Sequence, residues 1–213
     1  MIAVIAPAKC VMLLFCFAIA LGVVMDSMAQ ARPPQILEVA RDYLKPDAIA
    51  ANRKLERGAE DLCRTLAFTH PYLTIESVSG SAEMWYLNGF DSEAEVEKLR
   101  QEYQQNTKLL AALDDITRQK VPLKYLESTD EFVNYRPELS RGDPWIIGRR
   151  QFFVIVLFDG DPPMNGTVFE MKDGSRMLVR TTQIASEARI LGASAGSTAR
   201  VFRSFFYFRP QGM

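Results

Sequence analysis

The sequence predicts an α+β fold in which two consecutive units each lay helices over one face of an antiparallel sheet. Three observations predict it. Pro71 to Leu99 reads as a hairpin running directly into a helix, because two runs of strand-forming residues flank a Ser/Gly turn and DSEAEVEKL follows. Gln151 to Phe158 carries the apolar run FFVIVLF, of strand length and fit for burial on both faces. Residues 35–136 also read strand, helix, strand, strand, helix, strand, an order that places both helices on one face of an antiparallel sheet.

The 213 residues, 48% hydrophobic and 24% charged, suffice for one large domain or two small ones with a substantial core. The net charge is -1 and the Lys and Arg residues are dispersed, so no basic footprint for nucleic acid is present.

The N-terminus differs from everything after it. Lys9 precedes the apolar run Cys10 to Met25, and Ser27-Met28-Ala29-Gln30-Ala31 offers an Ala-x-Ala pattern before Arg32. Residues 1–31 are therefore expected to be a secretory signal peptide cut after Ala31, giving a secreted or periplasmic protein with no membrane attachment after cleavage. An uncleaved anchor is the other reading, and the run is short of the ~20 residues a spanning helix needs. Cleavage removes Cys10 and Cys16 and leaves Cys63, which excludes an internal disulfide. Cys63 shares helical spacing with Leu55, Ala59 and Leu66, as a small core residue would.

Gln35 to Leu44 alternates as a strand, with Leu37, Val39 and Tyr43 on one face and Glu38, Ala40 and Asp42 on the other. Pro46 and Asp47 suit a first helical turn, and a helix is expected from about Pro46 to Ala67 with Ile49, Leu55, Ala59, Leu62, Cys63 and Leu66 as its stripe. After the hairpin, Ser92 with Glu95 forms a capping-box signature, and Asn106-Thr107 marks a break in the helix that follows. From Val121 to Tyr135 the pattern is extended, as one long strand or two short ones.

Residues 35–136 thus read strand, helix, strand, strand, helix, strand, the order of a ferredoxin-like split β-α-β unit. With the Trp85-Tyr86-Leu87-Asn88 strand feeding an acidic Ser-Glu-Ala helix start, this half resembles the dimeric α+β-barrel superfamily, which includes antibiotic-biosynthesis-type monooxygenases and NIPSNAP-like proteins. Each sheet has one helix-covered face and must bury the other, so the two units are expected to pack sheet against sheet. The resemblance carries no catalytic residue over, since the Asn, Trp and His arrangement of the haem-degrading members is not placed residue by residue on this sequence.

Residues 137–149, with Pro137, Gly142 and Pro144, read as a linker. The second unit, 150–209, reads strand, strand, strand, helix, strand: a ferredoxin-like unit lacking its first helix. Asp173-Gly174 marks its hairpin, and Thr181 or Thr182 caps a helix ending near Gly192. Asn165-Gly166-Thr167 is a formal glycosylation sequon. The Ser-Glu-Ala runs at 92–94 and 186–188 align across the halves, which fits either a duplication or a recurrent hairpin-helix pattern.

If Leu73, Ile75 and Leu87 face the helices, then Glu38, Tyr72, Glu76, Tyr86 and Asn88 face the partner sheet, opposite Arg176 or Arg180. Buried carboxylates need such partners, so the cluster is either a ligand site or a polar seam between sheets. His70, the lone histidine, lies at the mouth of the hairpin, as a structural residue or a candidate ligand contact. One His and one mature Cys cannot build a usual zinc or copper site, so no metal is expected. No cofactor is identified. The leading expectation is an extracytoplasmic protein binding a small ligand or partner between its sheets, which close within one chain or across a homodimer. The alternative is a monooxygenase-like or haem-binding enzyme, by analogy of fold alone.

Overall fold

The computed structural model describes residues 32–147, 152–196 and 198–209. The predicted signal peptide lies outside them, as do positions 148–151, where the linker runs into the second half. Residues from Arg32 onward form one compact unit.

Eight strands close into an antiparallel barrel. They are β1 (Ile36–Tyr43), β2 (Tyr72–Ser77), β3 (Glu83–Phe90), β4 (Thr129–Tyr135), β5 (Phe152–Phe158), β6 (Thr167–Glu170), β7 (Arg176–Thr182) and β8 (Ala199–Phe208). Their order around the barrel is β1-β3-β2-β8-β5-β7-β6-β4, with β4 returning to β1. Each half therefore has its fourth strand beside its first, then its third, then its second. Closure removes every sheet edge and needs no second copy of the chain.

The interior is filled. Alternate residues of each strand point inward, and Leu37, Val39, Ile75, Trp85, Leu87, Val133, Phe153, Ile155, Phe169, Val179 and Phe202 form one cluster of essentially inaccessible side chains. Trp145 and Ile147, just ahead of β5, join it; the Trp145 ring lies 6.0 Å from both Phe153 and Phe169, edge-on to each. The run around Phe153 and Val156 is buried on both faces, as its composition predicts: Phe153 and Ile155 point inward, while Val154 and Val156 meet α4 (Ala185–Ser194) outside.

Three helices cover the outer face of the first half: α1 (Ile49–Thr65), α2 (Glu93–Gln105) and α3 (Thr107–Lys120). The break between α2 and α3 falls where the sequence places it. The Asn106 side chain accepts from the Leu109 amide and donates to the Leu66 carbonyl, satisfying one helix start and the end of another. The capping box also forms, with Ser92 accepting from the Glu95 amide while Glu95 reaches back to the Asp91 amide.

Three local expectations are corrected. Helix α1 begins at Ile49 rather than Pro46, because residues 46–48 form a turn closed by the Ala48 amide on the Lys45 carbonyl. Residues 121–128 are not a strand: Val121–Leu123 tighten into a 3-10 turn and β4 starts only at Thr129. That turn is tied to the end of β1 by the Lys45 amide on Leu123 and the Tyr125 amide on Tyr43.

The third correction is the larger one. Leu73, Ile75 and Leu87 point into the barrel and not at the helices, so Glu38, Tyr72, Glu76, Tyr86 and Asn88 lie on the outer, helix-covered face. Filling a barrel takes a largely apolar set from every strand, and Leu37, Val39, Leu73, Ile75, Trp85 and Leu87 are that set on β1–β3, with Arg41 over the Trp85 ring and Glu83 accepting from its indole nitrogen at one end. Helices with polar residues on their inner stripe can cover the mixed face instead.

Candidate functional site under the helices

The inner stripe of α1 carries Asn52, Glu56, Ala59 and Cys63, all buried, one turn apart along the helix. Asn52 and Glu56 are polar, and they descend onto the polar face of β1 and β3. There Glu56 meets Tyr86, which also reaches Asp42; the strands pair with Ala40 opposite Tyr86 and Asp42 opposite Met84.

The Tyr86 hydroxyl oxygen lies within hydrogen-bond distance of two carboxylates, Glu56 at 2.8 Å and Asp42 at 3.1 Å. Two ammonium groups offset their charge. Lys120, the last residue of α3, pairs with Glu56 and donates to the Tyr86 oxygen at 3.2 Å; Lys124 pairs with Asp42 at 2.9 Å. Ser128 donates to Asp42 at 2.6 Å. Burial alone would raise the Asp42 pKa, but the Ser128 hydrogen bond and the two lysines outweigh it and hold the carboxyl below its ordinary range. Burial and the adjacent carboxylates push the Tyr86 phenol far up, so it stays a protonated donor.

Two further polar groups flank this cluster. Glu76 is clamped by Arg53 of α1, through two bonds of 2.5 Å, and by Arg203 of β8 at 2.8 Å. Its burial would raise the pKa, but the two guanidinium groups lower it. On the other side Glu38 accepts from Asn88 at 2.5 Å. Burial raises the Glu38 pKa, that single hydrogen bond offsets it only in part, and the nearby Asp130 adds to the rise.

Tyr72 lies at the far end beside Cys63 and stacks on Phe208 at 5.3 Å; burial raises its pKa. His70 stacks on Phe90 at 4.5 Å, and burial drives its pKa down to about 4, so the ring is neutral. Arg176 and Arg180 do not join this group. They lie on the outer face of β7, where Arg176 pairs with Glu170 at 3.6 Å and Arg180 donates to the Asn165 carbonyl at 3.2 Å. The guanidinium partners of the buried carboxylate are Arg53 and Arg203 instead.

Of the residues singled out in the sequence, the structure thus gathers Glu38, Glu76, Tyr86 and Asn88 on one covered face with Tyr72 at its margin. Asn52, Glu56, Lys120 and Lys124 were missed. A signal for the first two existed, since they share the stripe of Ala59 and Cys63.

Next to Glu38 an open groove of about 550 Å³ runs between α2 and the outer face of β1 and β4. Ile36, Val96 and Phe132 supply apolar lining, with Glu93, Glu97, Arg100 and Asn134 around them. Phe132 is 39% exposed there, an unusual surface for a strand phenylalanine.

No protein-family model and no curated protein matches the sequence. Two solved structures share the fold. One is described as a putative monooxygenase from Fusobacterium nucleatum (TM-score 0.53, 8% identity, covering 85% of this chain and 96% of that one). The other is described as a putative monooxygenase from Lactobacillus acidophilus (TM-score 0.50, 7% identity, covering 85% and 98%). At such identities the likeness is one of fold, and it agrees with the barrel architecture that the sequence resemblance implies.

Proposed function

We propose that this chain is a small-molecule-binding barrel protein whose ligand lies on the helix-covered face rather than between the sheets. The observation that carries this reading is the contrast between the two faces. The barrel interior is filled by aromatic and aliphatic side chains, whereas the groove of about 550 Å³ between α2 and β4 has the size of a small-ligand site and an exposed aromatic floor. The buried cluster around Tyr86 supports the same reading: its carboxylates are each paired with a lysine, which suits an anchor for the helices more than a poised acid or base. A fragment screen by calorimetry or NMR tests the proposal. Binding should vanish in Ala94→Trp, which fills the groove from the exposed first turn of α2; binding unaffected by that change would place the ligand elsewhere.

A second reading, a monooxygenase-like or haem-binding enzyme, is favoured by the fold shared with two proteins described as putative monooxygenases. The absorption spectrum of the purified protein before and after adding haemin, with oxygen uptake in the presence of oxidisable aromatics, separates it from simple binding.

We further read the chain as exported with cleavage after Ala31, on the strength of the apolar run and Ala-x-Ala pattern. Intact mass of the extracytoplasmic protein should then begin at Arg32. The recurrence of one strand order in both halves supports their origin as a tandem duplication of ferredoxin-like units.

A further inference from the structure

The geometry points to a small amphipathic cation, an ammonium on an aromatic or aliphatic body, as the ligand class of the α2–β4 groove. This rests on the groove being the ligand site. Its wall carries Glu93 and Glu97 against Arg100, and Arg100 is already engaged by Glu97 at 2.7 Å. Glu38 and Asp130 stand next to it. Register places Glu38 opposite Phe132 and Asp130 opposite Ala40, so both carboxylates flank the Phe132 ring on the same outer face. Arg100 and Asp130 each act electrostatically on Glu38, which places all three in one neighbourhood. Two carboxylates, Glu93 and Glu97, thus line the apolar floor with one guanidinium, which Glu97 engages, while Glu38 and Asp130 stand beside Phe132 on the strand face just outside the lining.

That arrangement discriminates by charge. An anion would be repelled, and a neutral apolar molecule would gain only the floor. A cation gains the floor and the field of the carboxylates, and Phe132 offers it an exposed ring face. Phe90 lies behind Phe132 at 6.3 Å between centroids, which holds the floor ring in place. Glu93, Glu97 and Phe132 are all exposed, so the surface can be altered without disturbing the core.

The test compares three probes of one shape, 2-phenylethylammonium, 2-phenylethanol and phenylacetate, titrated calorimetrically into the protein at low and at 0.5 M salt. The ammonium should bind about tenfold more tightly than the alcohol at low salt, a margin that salt reduces. Glu93→Gln with Glu97→Gln should abolish most of that margin with the Tm unchanged, and Phe132→Ala should weaken both the ammonium and the alcohol. Equal binding of the three probes, with loss in Phe132→Ala, would overturn the ligand class and leave the groove standing. Binding of any probe that ignores both Phe132→Ala and Ala94→Trp would overturn the groove itself, and this inference with it.

Discussion

The Lys120 ammonium lies 4.6 Å over the centroid of the Tyr86 ring and 3.2 Å from its oxygen, while also pairing with Glu56. One side chain at the end of α3 thus touches a strand and a second helix at once. It ties α1, α3 and β3 together at a point where Glu56 would otherwise lack a cation. Glu56 is 2% exposed, so removing this partner would leave a buried carboxylate without its cation.

Lys120→Met should therefore destabilise the fold by about 3–5 kcal/mol, the cost of stranding a buried carboxylate. Adding Glu56→Gln should recover a good part of that loss, because the stranded charge disappears with it. Urea denaturation of the two variants checks this. A single-variant cost below about 1 kcal/mol would mean that water already solvates Glu56 and that the lysine is incidental.

Acid should destabilise the protein in two stages. His70 falls from an ordinary 6.5 to about 4 in the fold because it is buried. As the pH drops through that window the unfolded chain takes up a proton that the folded chain refuses, so stability is lost there. Asp42 and Glu76 have lowered pKa values; their contribution is present above the ordinary carboxylate range and is lost as pH falls through the lowered values. Glu38 and Asp130 act in the opposite sense, since their raised values let the folded state take protons first. His70→Phe, which keeps the stack on Phe90, should remove the upper stage, worth on the order of 2 kcal/mol, and leave the lower one. A denaturation series from pH 7 to pH 3 reads both.

Much of this fold was legible in the sequence, because hairpin turns, capping residues and strand-length apolar runs are local signals. The α2–α3 break at Asn106 and the doubly buried run at Phe153 to Val156 are examples. Which face of β1–β3 turns inward was not legible. Both faces of β3 bear bulky residues, Trp85 and Leu87 on one and Met84 and Tyr86 on the other, and the choice depends on what α1 brings to meet them. The stripe of Asn52 and Glu56 decided it, through contacts distant in sequence. Trp145 was hidden for another reason: a lone aromatic in a Pro- and Gly-rich stretch carries no periodicity, although it closes the interior against Phe153 and Phe169.

Trp145→Ala should cost about 3–5 kcal/mol, since it empties the space between those two rings and no neighbouring strand can collapse into a closed barrel. Trp145→Phe should cost much less. The indole nitrogen makes no hydrogen bond among the described residues, so the loss is one of volume rather than of a bond. Thermal unfolding of the pair separates the two contributions, and equal losses would point to an unseen partner for the indole.

Cys63 should be inert until the protein unfolds. It is 3% exposed on the inner stripe of α1, and burial pushes its thiol up to about 11, a rise that the Tyr72 hydrogen bond reduces only in part. At pH 8 the thiolate, the only form that attacks a disulfide reagent at a useful rate, then amounts to roughly one part in a thousand. A free cysteine under the same conditions is about a quarter ionised. Labelling by an aromatic disulfide at pH 8 should accordingly proceed at the rate of opening, accelerate with urea in step with global unfolding, and reach one thiol per Arg32–Met213 unit in denaturant. Lys120→Met supplies the decisive comparison. If α1 is held to the sheet through Glu56, loosening that end should speed labelling in the absence of urea by more than the loss of global stability predicts. A labelling rate that merely follows the global loss would show that α1 stays docked through Ala59 and Cys63 without the lysine.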